Sequence, residues 1–192
     1  MTLNMTDFPQ TIHGAQCELR YMTPNPENAG CVFGAIDGSR AFLKAWLGFV
    51  GMIQTSDDAM RWLNQAAEQW ADQKKFQMGI FCDGQFVGCI GAFDIEPAPV
   101  ASARIGYWLN QSATGRGIMA DALNTLETEL FARGFNRLEI QIDAGNDPSI
   151  RVAVRAGYHL DGILRAASYA PLVGVCDLHI YSKLAAESEQ HV

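Results

Sequence analysis

Ile105-Gly106-Tyr107-Trp108-Leu109-Asn110, followed shortly by Thr114-Gly115-Arg116-Gly117-Ile118-Met119, reads as an apolar strand that enters a glycine-rich turn and then a helix. The helix runs from about Gly115 to Arg133. Met119, Leu123, Leu126 and Leu130 form its apolar face, and Gly134 stops it. A turn of this kind points unpaired backbone N–H groups along the positive end of a helix dipole, where a pyrophosphate can sit. Gly115 and Gly117 allow the backbone to approach phosphates, and Arg116 offers a charge-assisted contact. A tight structural turn is the competing reading of Gly-x-Gly taken alone. The third glycine and distal acidic residue of a dinucleotide-binding fingerprint are missing, and no Gly-Lys-Ser/Thr follows as in a Walker loop.

Working outward, the pattern upstream is antiparallel. Gln16 to Met22 reads as an opening strand, and a helical stretch follows Pro24 and Pro26 and breaks near Asp37-Gly38. Thr55-Ser56-Asp57-Asp58 predicts a helix start whose buried stripe is Ala59, Trp62, Leu63, Ala66 and Trp70. Strands over Phe76 to Cys82 and Phe86 to Phe93 flank Asp83-Gly84, a hairpin signal. A third strand covers Ala101 to Leu109. Downstream, strand Leu138 to Ile142 leads to Asn146-Asp147-Pro148-Ser149, which opens a helix ending at Gly157. Strands over Tyr158 to Leu164 and Val175 to Leu184 close an α/β domain with helices on the faces of a mixed, twisted sheet. The expected domain spans 16–185, between an N-terminal extension (1–15) and a C-terminal tail (186–192).

Composition narrows the function classes. The 192 residues suit one domain, with 48% apolar and 18% charged residues. A net charge of −7 argues against a nucleic-acid partner and is compatible with a cationic amine. The opening ten residues lack a basic start and an apolar run, and no stretch approaches the length of a membrane span. The expected location is therefore cytoplasmic, with no membrane partner. Five scattered cysteines, none in a Cys-x-x-Cys pair, read as reduced packing residues, and no metal site is expected.

Ile-Gly-Tyr-Trp-Leu-Asn, then Gly-Arg-Gly-Ile-Met, then Asn146-x-x-Ser149-x-Arg151-Val152-x-x-x-x-Gly157-Tyr158 together resemble the GCN5-related N-acetyltransferase (GNAT) superfamily. The phrasing is similar to its RimJ/RimL branch, the ribosomal-protein N-terminal acetyltransferases. The resemblance extends from about Gln16 to Leu184 and includes Gly162 to Arg165. It implies a mostly antiparallel sheet of six to seven strands with helices on both faces, and acetyl-CoA as the acyl donor. The resemblance also implies that Trp108, Leu109 and Asn110 close a splayed strand that hydrogen-bonds the acetyl group and pantetheine. Gly115, Arg116, Gly117, Ile118 and Met119 would cradle the pyrophosphate, Asn146 would bond the pantetheine arm, and Ser149 would sit near the sulfur. Ser112 stands where the family usually has Gln or Arg.

Transfer to an amine needs a neutral nucleophile, a donor for the oxyanion and a partner for the departing thiolate. The Trp108–Leu109 strand offers the oxyanion donor, and Ser149 is the candidate for the thiolate. The alternative for Ser149 is a hydroxyl that satisfies its own helix turn. Two positions where relatives carry carboxylates hold Arg104 and Ser168 here. Asp94 is the remaining candidate base, acting through water, with Glu96 a solvated turn residue. Asp177, His179 and Tyr181 alternate on one strand face, as a relay or as a half-buried polar row. Trp46, Phe49, Trp62 and Trp70 line an acceptor groove or pack the core. The expected acceptor is a protein N-terminus, ahead of a small amine such as a polyamine, amino acid or antibiotic. A non-catalytic acyl-CoA-binding module is the rival class. A homodimer is compatible with the exposed end of the sheet.

Overall fold

The computed structural model describes residue 5 and residues 7–188. Among the described residues the chain forms eight strands and six α-helices. The strands are β1 (Thr11–His13), β2 (Glu18–Tyr21), β3 (Lys75–Cys82), β4 (Gln85–Glu96), β5 (Ser102–Leu109), β6 (Arg137–Asp143), β7 (His159–Ala170) and β8 (Gly174–Leu184). The helices are α1 (Pro26–Asp37), α2 (Arg40–Leu43), α3 (Ser56–Ala71), α4 (Ile118–Ala132), α5 (Asp147–Arg155) and α6 (Ala185–Ser188). One sheet runs β1-β2-β3-β4-β5-β6-β8-β7. Every neighbouring pair is antiparallel except β5 and β6.

The sheet exceeds the expected six to seven strands because Thr11 to His13 pair with Glu18 to Arg20 at the edge. The stretch before residue 16 is thus built into the domain, and Met5 and Phe8 are buried in the core. The first four residues and the last four of the expected tail lie outside the described residues. β7 also runs six residues past the expected Leu164, through an irregularity between Leu164 and Ser168.

Each face of the sheet carries its own apolar layer. Leu123, Leu126 and Leu130 of α4 pack on Ile105, Leu138 and Ile140, with Ala153 of α5 beside them. On the opposite face, Val32 and Ile36 of α1 and Ala59 and Leu63 of α3 cover Cys89 and Trp108. Thr55 and Asp58 form the reciprocal cap of α3 that the sequence led one to expect. Trp70 packs edge-on or tilted against Phe8, Tyr21 and Phe76 in the first layer, and Trp62 packs in the second. Both therefore serve packing. Inside the first layer Lys183 of β8 donates to Glu127 of α4 and, at 2.9 Å, to the Ala156 carbonyl.

Asp121, in the first turn of α4, ties the N-terminal hairpin to that helix. Its carboxylate accepts from the backbone N–H groups of Ala15 (3.0 Å), Gln16 (2.8 Å) and Cys17 (3.1 Å), and from the Cys17 thiol at 3.3 Å. Burial pushes its pKa up, but the bonds from Gln16, Ala15 and Cys17 outweigh burial and hold it below the usual carboxylate range. A carboxyl depressed in the folded state stabilises above its unfolded pKa, and that contribution is lost as pH falls through the folded value. Asp121→Asn is expected to lower the melting temperature at pH 7 by at least about 3 °C. The gap to the unsubstituted protein should narrow as pH falls below the ordinary aspartate value of about 3.9. Thermal unfolding at a series of pH values checks this; a gap that persists unchanged at low pH would refute it.

Candidate active site

The ladder between β5 and β6 is short. Ser102, Ala103 and Arg104 pair with Arg137, Leu138 and Glu139, and among the described residues no further pair follows. Beyond that point β5 stays with β4 as far as Gly88↔Leu109, and β6 stays with β8 as far as Asp143↔Leu178. The two middle strands therefore splay, which leaves backbone N–H and C=O groups facing each other across a gap. Buried backbone polar groups need partners, so a gap inside a sheet is a place for a ligand that can supply them.

A cleft of about 410 Å³ opens beside the free end of β5 and continues to the N-terminus of α4. Its walls include Tyr107, Trp108 and Leu109 of β5, Gly115, Gly117, Ile118 and Met119 at the turn into α4, and Asn146 and Ser149 at the start of α5. Gly115 and Gly117 have φ of +74° and +83°, a region in which an L side chain is strained. The bends turn the chain sharply ahead of α4, whose first turn begins at Ile118. Asn146 caps α5 by accepting from the Ser149 N–H at 3.3 Å. Trp46 closes the end near α5, its ring 3.6 Å from where a Cβ on Gly145 would sit.

The sequence-expected residues thus converge, with three exceptions. Asn110 and Arg116 do not line the cleft. Asn110 instead holds the connecting turn, its side chain accepting from the Ala113 N–H at 3.0 Å and the Ser112 hydroxyl at 3.1 Å. Asp94 is also outside the cleft. It sits in β4, behind β5, at a backbone φ of +50°, and its carboxylate pairs with Arg104 Nη1 at 2.9 Å. Asp177 accepts from the Ala166 N–H at 2.8 Å at the irregularity in β7, so it is not joined to His179 as a relay.

Several site features were not singled out from sequence. Phe42, Leu43 and Leu47 wall the cleft beside Trp46, and Arg151 and Arg155 border it from α5. Glu139 stands where the splay begins. Its oxygens accept from Arg137 Nη1 at 2.7 Å and Gln141 Nε2 at 2.9 Å, and Arg104 Nε lies 3.7 Å away. Tyr107 appears in the strand motif, but only the fold brings its hydroxyl to Ser149, 3.0 Å from Oγ. Sequence spacing offers no signal for a contact between residues 42 positions apart.

The profile of the acetyltransferase (GNAT) domain family matches residues 17–159. The chain belongs to the GNAT acetyltransferase family. The ribosomal-protein-serine acetyltransferase of Escherichia coli (strain K12) is 31% identical over 134 residues, which cover 68% of this chain and 73% of that protein. Among solved structures, the microcin C7 self-immunity acetyltransferase MccE, in complex with acetyl-CoA and AMP, superposes with a TM-score of 0.84 at 25% identity. That match covers 94% of this chain and 99% of the other. The ribosomal L7/L12 α-N-protein acetyltransferase RimL, in complex with coenzyme A, superposes with a TM-score of 0.83 at 22% identity, covering 98% and 99%. The chain is an N-acetyltransferase that uses acetyl-CoA.

The cleft fits that donor. A pantetheine arm carries amides that can complete the open edge of β5, and a pyrophosphate suits the N–H groups presented ahead of α4. Acetyl-CoA supplies a thioester, whose carbonyl carbon an amine attacks. Gly117→Ala forces a Cβ onto a backbone at φ +83° and is expected to weaken coenzyme A binding at least tenfold. Calorimetric titration with coenzyme A measures this, and unchanged affinity would remove the phosphate role from the turn.

Proposed function

We propose that this chain acetylates the free α-amine of a protein N-terminus, with Gly115, Gly117, Ile118 and Met119 gripping the pyrophosphate of acetyl-CoA. Backbone groups of Trp108 and Leu109 hold the pantetheine and the oxyanion, Asn146 holds the pantetheine arm, and Ser149 donates to the departing thiolate. The amine attacks the thioester directly in a ternary complex. The observation that carries the acceptor reading is that no carboxylate is among the described residues lining the cleft. The two carboxylates nearest the closed end of the splay, Asp94 and Glu139, both interact with arginines.

Neither carboxylate lines the cleft, so neither is placed to take the proton of a bound amine directly. The neutral fraction of the acceptor amine then controls the rate. At pH 7 that fraction is roughly 10% for an α-amine of pKa about 8, against roughly 0.04% for a lysine of pKa about 10.4. Chemistry of this kind favours N-termini over lysines and polyamines. The names of the E. coli relative and of RimL point the same way.

In this reading the enzyme works in the cytoplasm, where ribosomal proteins are made, and has no nucleic-acid or membrane ligand. Among the described residues no helix is long and apolar enough to cross a membrane. The apolar edge strand β7, with Ile163, Leu164 and Tyr169 exposed, supports a homodimer.

The test is thiol release from acetyl-CoA with peptides bearing free Ser, Ala or Met N-termini, N-blocked peptides containing lysine, and polyamines. Free N-termini are expected to react at least about 100-fold faster than lysine at pH 7. The rate with peptides should climb with pH and level off near about 8. A preference for a polyamine or another small amine would overturn the acceptor assignment. Tight coenzyme A binding without turnover on any amine would favour the acyl-CoA-binding reading.

A further inference from the structure

Ser149 lies in the first turn of α5, where its hydroxyl has two competing uses. A serine in a helix can donate back to a carbonyl of the preceding turn, or it can point its proton away from the helix. Only the second arrangement serves a departing sulfur. The neighbour that bears on this is Tyr107. It is on β5, two residues before the strand ends, and its side chain projects to the face that carries α4 and α5.

The Tyr107 hydroxyl is 3.0 Å from Ser149 Oγ and 3.4 Å from the Ser149 carbonyl oxygen. A carbonyl oxygen only accepts, so Tyr107 is the donor in that contact. Among the described residues no other acceptor meets the Tyr107 hydroxyl. The phenolic proton has two acceptors within reach, both on Ser149, and Oγ at 3.0 Å is nearer than the carbonyl at 3.4 Å. Between the two hydroxyls either can donate, and donation by Tyr107 is the arrangement that leaves the serine proton free. An oxygen that receives one proton keeps its own free to donate elsewhere. Burial pushes the phenol up to about 12, with the Ser149 bond acting in the opposite direction, so Tyr107 stays protonated throughout the neutral range. Both residues line the same cleft.

We propose that Tyr107 is a positioning residue for acetyl transfer: its hydroxyl donates to Ser149 Oγ and so turns the serine proton toward the sulfur of the bound thioester. The inference rests on the placement of Ser149 beside the sulfur in the function proposed above. In the step it serves, the amine nitrogen bonds to the carbonyl carbon and the carbon–sulfur bond breaks. The electron pair of that bond goes to sulfur, and the proton shed by the nitrogen goes to water. The thiolate accepts the Ser149 hydrogen bond and later takes a proton from solvent. Neither Ser149 nor Tyr107 loses its proton, which suits two hydroxyls far less acidic than a thiol.

The test needs no acceptor amine. Coenzyme A is bound to the purified protein, and the pKa of its thiol is read from thiolate ultraviolet absorbance. A hydrogen bond to the charged form lowers a pKa, so the bound thiol should titrate at least about half a unit below the free one. Tyr107→Phe and Ser149→Ala should each return it toward the free value, and the double variant should match Ser149→Ala alone. With the best acceptor peptide, Tyr107→Phe should lower kcat about tenfold and leave the KM for acetyl-CoA within about twofold.

A bound-thiol pKa that Tyr107→Phe does not move would overturn the proposal. So would effects of the two variants that simply add, or a loss confined to coenzyme A affinity, which marks a packing role. Failure of the unsubstituted protein to bind coenzyme A would instead refute the acetyl-CoA site itself. Turnover that prefers another amine would refute only the acceptor.

Discussion

The site depends on the interruption of one ladder. β5 and β6 are held together over three residue pairs and then follow different neighbours, β4 on one side and β8 on the other. A sheet normally closes every backbone hydrogen bond of its central strands, and leaving such bonds open inside a protein is costly. The cost is tolerable here because the opening forms a cleft, in which a ligand rich in amides and anionic oxygens can take the place of the missing strand. Both faces of the sheet support the arrangement, α4 and α5 against one and α1 and α3 against the other.

Around that opening the roles divide by strand alternation. Odd-numbered residues of β5 face α4 and α5, so Tyr107 meets Ser149 and Ile105 joins the core. Even-numbered residues face the other way, so Trp108 packs with Phe49 and Phe86. The cleft is lined from both faces, by Tyr107 and Ser149 on one and by Trp108 on the other. Arg104 lies on the same side of β5 as Trp108 but outside the cleft, where it pairs with Asp94 and lies near Glu139.

The legible parts of the site were local. The bend at Gly115 and Gly117 and the helix after it occupy consecutive residues and appear where periodicity and turn chemistry suggested, and α5 starts at its expected turn with Asn146, not Asp147, as the cap. Asp94 was not legible in the same way. Its candidacy rested on being a carboxylate near a strand end, and its partner Arg104 arrives from the adjacent strand. The edge strand Thr11 to His13 escaped notice because three residues carry too little alternation to register, although pairing with β2 makes them part of the sheet. Phe42, Leu43 and Leu47 read equally well as core, and only the docking of α2 beside α4 puts them on a cleft wall.

The amino-acid sequence by itself determined the class of fold, the glycine bend before α4 and the order of its elements, because backbone preferences of glycine, caps and apolar spacing act over a single turn or strand. Tertiary structure alone decided which strands part company, which hydroxyl meets Ser149 and which carboxylates are already paired with arginine. Those outcomes depend on the register between segments tens of residues apart, and no local preference specifies register across such a distance.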